Sequence, residues 1–193
     1  MINAAPIIKG KNIILRQPIE QDVEDYLSVA ISPELVRMYG GDTTKISSKT
    51  EDKALKFIQS IKDTKLGWCV EYNERLIGHT RLNVNDTDQR ARYAVGLFAP
   101  SVWGKGLGTE ITQLVLQYAF EVLNLHRVDL RVLQYNERAI KCYEKCGFIQ
   151  EGLEREGALI EGKYETDVMM SILEREYQEV KNGFVKFNNL LNL

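Results

Sequence analysis

VWGKGLGTE, the stretch Val102–Glu110, places three alternate glycines and a lysine directly before a helical pattern: Gly104, Lys105, Gly106 and Gly108. Glycine has no Cβ, so the backbone here can curl and turn several N–H groups toward one point. The first turn of a helix has N–H groups without internal partners and carries about half a positive charge. The stretch therefore predicts a phosphate-binding site at the start of a helix, to which the lysine adds a mobile positive charge.

Two familiar phosphate-binding motifs do not fit this stretch. A P-loop requires the spacing G-x-x-x-x-G-K-[ST], and the lysine here comes too early. A Rossmann turn requires G-x-G-x-x-G after the first strand, whereas the spacing here is G-x-G-x-G and the stretch lies in the middle of the chain. From these residues alone, a glycine-rich turn that binds nothing is the alternative interpretation.

The composition is that of an ordinary globular protein. The chain has 193 residues, of which 44% are hydrophobic and 27% charged, and its net charge is −2. This charge argues against nucleic acid or an anionic membrane as a partner. Three cysteines without a secretory leader predict a reduced, cytoplasmic protein. Without repeats or linkers we expect one domain over residues 1–193, with a core at about 10–175 and a tail at 176–193.

Hydrophobic periodicity predicts a mixed α/β chain with helices between strands. The elements around the glycines are a strand at Arg92–Ala99, a helix at Thr109–Asn124, a strand at His126–Leu133 and a helix at Asn136–Cys146. Asn136 is a preferred N-cap residue, and Gly147 stands where a C′ glycine ends a helix. The acidic run Glu151–Glu156 is typical of a solvated turn. No structure is assigned to the residues after Glu174.

Two motifs in this order resemble the GNAT N-acetyltransferase superfamily. Trp103-x-x-Gly106-x-Gly108 resembles its acyl-CoA pyrophosphate loop, Q/R-x-x-G-x-G/A, with Trp103 in place of Gln or Arg. NERAIKCYEKCGF, Asn136–Phe148, resembles its segment N-x-x-A-x-x-x-Y-x-K-x-G-F. Leu15–Asp22 and Gly157–Met170 resemble the branch of ribosomal-protein N-terminal and spermidine acetyltransferases, in which Trp at the first motif position is also found.

The resemblance implies an α/β (α+β) fold with a mixed, mostly antiparallel central sheet, flanked by helices and splayed at the acyl-CoA site. It implies acetyl-CoA as the co-substrate and no metal. The residues that it assigns to CoA binding are Phe98, Ala99, Trp103, Gly104, Lys105, Gly106, Leu107, Gly108, Thr109, Asn136, Ala139 and Tyr143. A backbone N–H near Phe98 would polarise the thioester carbonyl.

The resemblance also assigns two catalytic residues, Asn136 and Tyr143. With Ala139 they fall at i, i+3 and i+7 and share one face of a helix. In the superfamily the pantetheine arm passes along such a face, with Asn136 bonded to the arm and Tyr143 near the sulfur. A phenol, with a pKa of about 10, can lend its proton to a departing thiolate, whose thiol has a pKa of about 8.5. The alternative for Tyr143 is a core aromatic.

The group that deprotonates the acceptor is not evident from the sequence. Many relatives carry a glutamate on the strand before the glycines, and Tyr93 stands at that position here. Ordered water or His79 could serve instead, although a histidine at a hairpin is more often structural. The absence of a carboxylate on this strand favours an acceptor amine of lower pKa, such as an amino terminus at about 7.7–8.0 rather than a lysine-like amine at about 10.4.

The leading prediction is an acetyl-CoA-dependent N-acetyltransferase that acts on a primary amine by direct attack. A protein or peptide amino terminus ranks first as the acceptor, followed by a polyamine or another small amine. The alternative is a non-catalytic acyl-CoA sensor or structural subunit, which the missing strand carboxylate favours. A homodimer is a possible assembly. No metal site is expected, because Cys142 and Cys146 have no completing His or Cys pair.

Overall fold

The computed structural model describes residues 4–191, with side chains over residues 4–182. Residues 1–3 and 192–193 of the expected single domain lie outside the described residues. The strands are β1 Ile8–Lys9, β2 Ile13–Arg16, β3 Gly67–Tyr72, β4 Arg75–Asn85, β5 Arg90–Leu97, β6 Arg127–Leu133, β7 Ile149–Ile160 and β8 Lys163–Leu173. The α-helices are α1 Gln21–Ser28, α2 Pro33–Met38, α3 Glu51–Asp63, α4 Leu107–Gln117, α5 Glu137–Lys145 and α6 Glu174–Leu191.

The eight strands form one sheet in the order β1-β2-β3-β4-β5-β6-β8-β7. All neighbouring pairs are antiparallel except β5 and β6, which run parallel. A parallel pair needs a long crossover connection, and α4 with the π turn Tyr118–Val122 supplies it. The predicted mixed, mostly antiparallel sheet flanked by helices is confirmed.

The sheet is splayed between β5 and β6. These strands pair over only three residues each in the described chain, Arg90–Arg92 with Arg127–Asp129. Beyond this point Tyr93–Leu97 stay paired with β4, and Leu130–Leu133 stay paired with β8. The two separated edges therefore turn main-chain N–H and C=O groups toward an opening rather than toward each other. The predicted splay is confirmed.

Helices cover both faces of the sheet. On one face, Ile111 of α4 is fully buried in a cluster that includes Trp68 of β3. On the other, Ile58 of α3 packs into a cluster that includes Cys69. Successive strand residues point to opposite faces, so Trp68 and Cys69 separate the two clusters. Burying a side chain of this size contributes about 1.5–3 kcal/mol, and the helices are held to the sheet mainly by such contacts.

The helix behind the glycines begins at Leu107, two residues earlier than predicted. Its N-cap is Gly106, which has a left-handed φ of 78°. A glycine has no side-chain oxygen that would mark a cap in the sequence, which explains why the prediction placed the start at Thr109. Gly108 consequently lies inside the first turn of α4.

The predicted turn at Glu151–Glu156 is wrong. These residues lie within β7, and the chain reverses at Glu161–Gly162 instead. Two of the three glutamates in this run are paired along the sheet: Glu151 with Arg127 of β6 at 2.6 Å and Glu154 with Arg131. The sequence left the residues after Glu174 unassigned, and those up to Leu191 belong to α6, Glu174–Leu191. No helix of the described chain is long and apolar enough to span a bilayer.

Candidate active site

A cavity of about 1040 Å³ opens where β5 and β6 separate. Residues of α2, β5, β6, β8, the glycine stretch and α5 form its walls. Nine predicted CoA-binding residues line it: Trp103, Gly104, Gly106, Leu107, Gly108, Thr109, Asn136, Ala139 and Tyr143. The other three predicted residues, Phe98, Ala99 and Lys105, are not among the lining residues. The structure thus brings together the two sequence motifs at one cavity.

The start of α4 presents a row of unused donors to this cavity. Six consecutive backbone N–H groups, those of Gly104–Thr109, have no acceptor among the described residues. The first helical bond is that of the Glu110 N–H to the Gly106 carbonyl at 3.1 Å, and no side chain caps the helix. Unpartnered N–H groups at the positive end of a helix dipole form a site for an anion.

The two glycines at the turn are required by its backbone. Gly104 and Gly106 have φ angles of +74° and +78°, which L-residues rarely adopt. A Cβ at either position would meet no atom within 4 Å, so the space in front of the N–H groups is open. At Gly108 a Cβ would lie 3.4 Å from the sulfur of Cys142, which shows how closely α4 approaches α5.

The positive charge at this end of the cavity comes from α5. Lys105 points away, with its Nζ 6.0 Å from the ring of Tyr72, so the expected role of Lys105 is not supported by its position. Three basic residues of α5 line the cavity instead: Arg138, Lys141 and Lys145. The guanidinium of Arg138 lies 3.7 Å from the ring centre of Trp103. Because Arg138, Lys141 and Lys145 are spaced at i, i+3 and i+7, this basic face of α5 could have been predicted from the sequence.

Near Phe98, the backbone N–H that is not used in pairing with β4 is that of Leu97. The N–H of Phe98 already donates to the Ile77 carbonyl at 2.8 Å, and its ring is buried. Bonding directions alternate along an antiparallel strand, so the N–H and C=O of Leu97 point toward the opening. The Leu97 carbonyl accepts from Trp103 Nε1 at 3.3 Å and from the Tyr39 hydroxyl at 3.2 Å.

Tyr143 combines a buried ring with access to the cavity. Its side chain is 8% exposed and packs edge-to-face on Tyr93, with ring centres 6.2 Å apart. Burial raises the pKa of the Tyr143 phenol, and no hydrogen bond contributes to the shift. The neighbouring Tyr93 hydroxyl is bonded to Thr112 Oγ1 at 3.0 Å. Of these two neighbouring tyrosines, Tyr143 is therefore the one with a phenol that is a neutral, unengaged donor.

Asn136 caps α5, as the sequence predicted. Its Oδ1 accepts the Ala139 N–H at 3.2 Å, and its Nδ2 donates to the Met38 carbonyl at 3.3 Å. Gly147 ends the helix with a φ of +93°. The amide of Asn136 still has one donor and one acceptor position that these two bonds do not use.

His79 does not line the cavity. Its imidazole packs against the rings of Phe57 and Phe98, and its buried Nδ1 has no partner among the described residues. Burial lowers the pKa of His79 to about 4, so the ring is neutral at physiological pH and a weak base. The geometry gives no support to His79 as the residue that deprotonates an acceptor.

The opposite end of the cavity is lined by residues of several elements, and two of them lie in the segment Glu34–Gly41, where the sequence places the acceptor pocket. The lining residues are Met38 of α2 and Tyr39 directly after it, Arg131 and Leu133 of β6, and Gly157 and Asp167 of the β7–β8 hairpin. Strand register, which brings β8 next to β6, places them together. No group of three or more His, Cys, Asp or Glu side chains in the described chain is arranged to hold a metal ion.

Comparison with known proteins identifies the class to which this fold and cavity belong. The family model described as "Acetyltransferase (GNAT) domain" matches residues 12–149. The chain therefore belongs to the GNAT acetyltransferase family, as its two motifs predicted.

Two curated relatives and one solved structure refine the comparison. The spermidine N(1)-acetyltransferase of Vibrio cholerae serotype O1 is 35% identical over 105 residues, covering 54% of this chain and 60% of the relative. YdaF of Bacillus subtilis, whose assignment as a ribosomal N-acetyltransferase is itself provisional, is 32% identical over 111 residues, covering 57% and 60%. The chain thus spans 60% of the length of each of these relatives.

The solved structure is a spermidine N-acetyltransferase from Vibrio cholerae in complex with CoA and spermine. It is 25% identical to this chain, has a TM-score of 0.70, and the match covers 86% of this chain and 98% of that one. The fold therefore extends over most of both chains.

Proposed function

We propose that this protein is an acetyl-CoA-dependent N-acetyltransferase that transfers an acetyl group to a primary amine by direct attack. One observation carries the proposal. The six unpartnered N–H groups belong to Gly104–Thr109, and five of these residues, all but Lys105, line the same cavity as Tyr143 with its neutral phenol. Family membership and the CoA complex of a related structure support it.

The described residues fit the chemical parts of acetyl-CoA, which supplies an activated acetyl thioester. The N–H groups of Gly104–Thr109 would hold the diphosphate, and Arg138, Lys141 and Lys145 provide positive charge beside it. The second donor and acceptor of Asn136 would bond the pantetheine arm. The N–H of Leu97 faces the opening and would stabilise negative charge on the thioester oxygen, a contribution of about 3 kcal/mol in comparable sites.

Tyr143 would act as the general acid. Burial keeps its phenol protonated at neutral pH, so the hydroxyl has a proton for the thiolate that leaves when an amine attacks a thioester. The ring is fixed by Tyr93 and Phe148, which limits the entropy lost in reaching a productive position. Catalysis would rest on positioning and electrostatics, without a covalent enzyme intermediate.

A second function, acyl-CoA binding without turnover, is favoured by one observation. β5 contains no carboxylate, and Tyr93, at the position of the glutamate in many relatives, is buried and bonded to Thr112. A protein of this kind would retain the diphosphate-binding site but lack a group that removes the proton from the acceptor amine.

The test combines calorimetry with a turnover assay. Calorimetry measures CoA binding, and a thiol-reactive chromogen measures release of free CoA from acetyl-CoA with each of several amines. The panel contains a short peptide, a polyamine and a simple monoamine, and the same peptide with a blocked amino terminus is the control. Amine-dependent release supports the enzyme, whereas binding without release supports the sensor. A chain that does not bind CoA would refute both.

A further inference from the structure

The cavity runs along α5 and has chemically different ends. Beside Cys142, in the C-terminal half of the helix, it meets the donor-rich start of α4. Beside Asn136, at the N-terminal end, it meets α2 through the Met38 carbonyl. Six residues of helix separate these points, a rise of about 9 Å. We call the second region the α2 end; it is lined by Met38, Tyr39, Arg131, Leu133, Gly157 and Asp167.

Register places Asp167 in the wall of the α2 end. Asp167 of β8 stands directly opposite Leu133 of β6 in the antiparallel ladder, and paired residues project on the same face. A Cβ at Gly40 would lie 3.2 Å from Leu133 Cδ1, so this face lies under the end of α2. Asp167 is thus on the side of the cavity away from the basic residues of α5.

Asp167 is the cavity-lining carboxylate without a partner. The only other carboxylate among the described lining residues, Glu137, lies 3.7 Å from Lys141. Arg131, the nearest cation on the wall, forms its ion pair with Glu154. Asp167 makes no side-chain hydrogen bond or ion pair within the described part of the chain.

The positive charge that acts on Asp167 comes from Arg131, which is already paired with Glu154. Burial raises the pKa of the Asp167 carboxyl group, and this effect outweighs the opposing charge of Arg131. The charge of Glu154, a smaller effect, raises the pKa as well. A cation bound beside Asp167 would favour the carboxylate and lower its pKa again. The site therefore gains from a positively charged ligand.

We propose that Asp167 determines acceptor specificity by holding a second positive charge of the acceptor, so that the preferred substrate is a diamine or another amine with an additional cationic group. This inference rests on the proposed N-acetyltransferase function. The charge that it holds is not the reacting amine, because a carboxylate beside an amine favours the ammonium form, which has no lone pair for attack. The second cation would sit at the α2 end while the neutral amine faces Leu97 and Tyr143.

The experiment compares α,ω-diamines with monoamines of the same chain length. Initial rates with acetyl-CoA should give the wild-type protein a KM about tenfold lower for a diamine than for its matched monoamine, as expected for one charge-assisted hydrogen bond. Asp167→Asn should abolish this difference while leaving the monoamine KM and the acetyl-CoA KM unchanged. Asp167→Glu should retain part of the difference.

Glu165→Gln is the matched control. Glu165 lies two residues away on β8, but it pairs with Lys163 at 3.2 Å and does not line this cavity. Its variant should keep the wild-type preference for diamines. Turnover of the monoamine by Asp167→Asn, together with its thermal melting curve, shows whether the variant is folded.

Three results would overturn the assignment of Asp167: equal KM values for diamine and monoamine in the wild type, an undiminished preference in Asp167→Asn, or an equal loss in Glu165→Gln. If the wild type releases no thiol with any amine, the proposed function has failed separately. Calorimetric titration with the diamine alone then decides the role of Asp167, since weaker binding by Asp167→Asn supports it and equal binding refutes it.

Discussion

The two helices that flank the cavity begin in opposite ways. α4 begins at a left-handed glycine, Gly106, and no side chain accepts from its first turn. α5 begins at Asn136, whose side chain accepts the Ala139 N–H and also donates to Met38. One helix start is open and the other is closed by the protein itself.

The difference separates binding from positioning. A side-chain cap contributes about 1 kcal/mol to stability, and the chain has not used one at α4. Unpartnered donors are tolerated there because they face a cavity where water or an anion can accept from them. The capped helix instead holds Tyr143 in a fixed place, with one end tied to α2. We infer that the start of α4 binds the diphosphate and that α5 positions the chemistry.

The largest expected effect follows from closing the open start. Gly106→Val forces a β-branched residue into a φ of +78° and adds a side chain to a residue that lines the cavity at the start of α4. We expect CoA affinity to fall at least about a hundredfold, because several charge-assisted hydrogen bonds of about 1.5–3 kcal/mol each are disturbed. Isothermal titration calorimetry with CoA measures the change.

Gly162→Val is the matched control for Gly106→Val. Gly162 has a φ of +76°, and a Cβ there also meets nothing within 4 Å, but it lies at the tip of the β7–β8 hairpin. Both variants should lose about 1–2 kcal/mol of stability from backbone strain. Only Gly106→Val should lose CoA. Equal affinities for CoA in the two variants would show that the diphosphate does not bind at the start of α4.

Tyr143→Phe tests the chemical role of α5. Removing the phenolic proton should lower kcat about a hundredfold, within the usual range for a general acid, and change CoA affinity by less than about twofold. Tyr93→Phe is the control, because it removes a buried hydroxyl that is bonded to Thr112 and does not serve the reaction. That variant should lose about 1 kcal/mol of stability and keep its kcat. Comparable kcat values in the two variants would exclude Tyr143 as the acid.

Asn136 tests whether the closed start also binds the cofactor. Asn136→Ala removes the cap and should cost about 1 kcal/mol of stability, whereas Asn136→Ser keeps a capping oxygen and should restore most of it. Serine is too short to reach the pantetheine arm. Both variants should therefore bind CoA about three- to tenfold more weakly, the value of one hydrogen bond. If Asn136→Ser binds CoA with wild-type affinity, Asn136 serves only as the helix cap and does not bind the pantetheine arm. Melting curves and calorimetry give the two quantities.

Local features of this chain could be predicted from its sequence because their causes are local. The cap at Asn136 and the C′ glycine at Gly147 follow from spacing over one or two helical turns. The nine cavity-lining residues in the two motifs were assigned through the family resemblance that these motifs carry. The splay was available only through resemblance to a family, since no residue in β5 or β6 marks where their pairing ends.

Features set by strand register could not be predicted. The choice between Phe98 and Leu97 depends on which one bonds to Ile77 across the ladder. Asp167 reaches the cavity because it stands opposite Leu133, which is 34 residues earlier in sequence number. The run Glu151–Glu156 was interpreted as a turn because its charged residues do not alternate with buried ones, as they would in a half-buried strand. In the structure, Glu151 and Glu154 are instead paired with arginines on β6.

The smallest expected effect concerns Cys142, the α5 residue that contacts the open start of α4. Its sulfur lies 3.5 Å from Thr109 Oγ1, and its interaction with the neighbouring thiol of Cys146 lowers the pKa of Cys142. Thiolate increases as pH rises, so its alkylation by iodoacetamide should reach half its maximal rate below the usual thiol value of about 8.5. Cys146→Ala should move this midpoint upward. Peptide mass spectrometry separates Cys142 from the buried Cys69.

Saturating CoA should slow the alkylation of Cys142, because a diphosphate held by Gly104–Thr109 would cover the sulfur. If CoA does not protect Cys142, the diphosphate binds elsewhere.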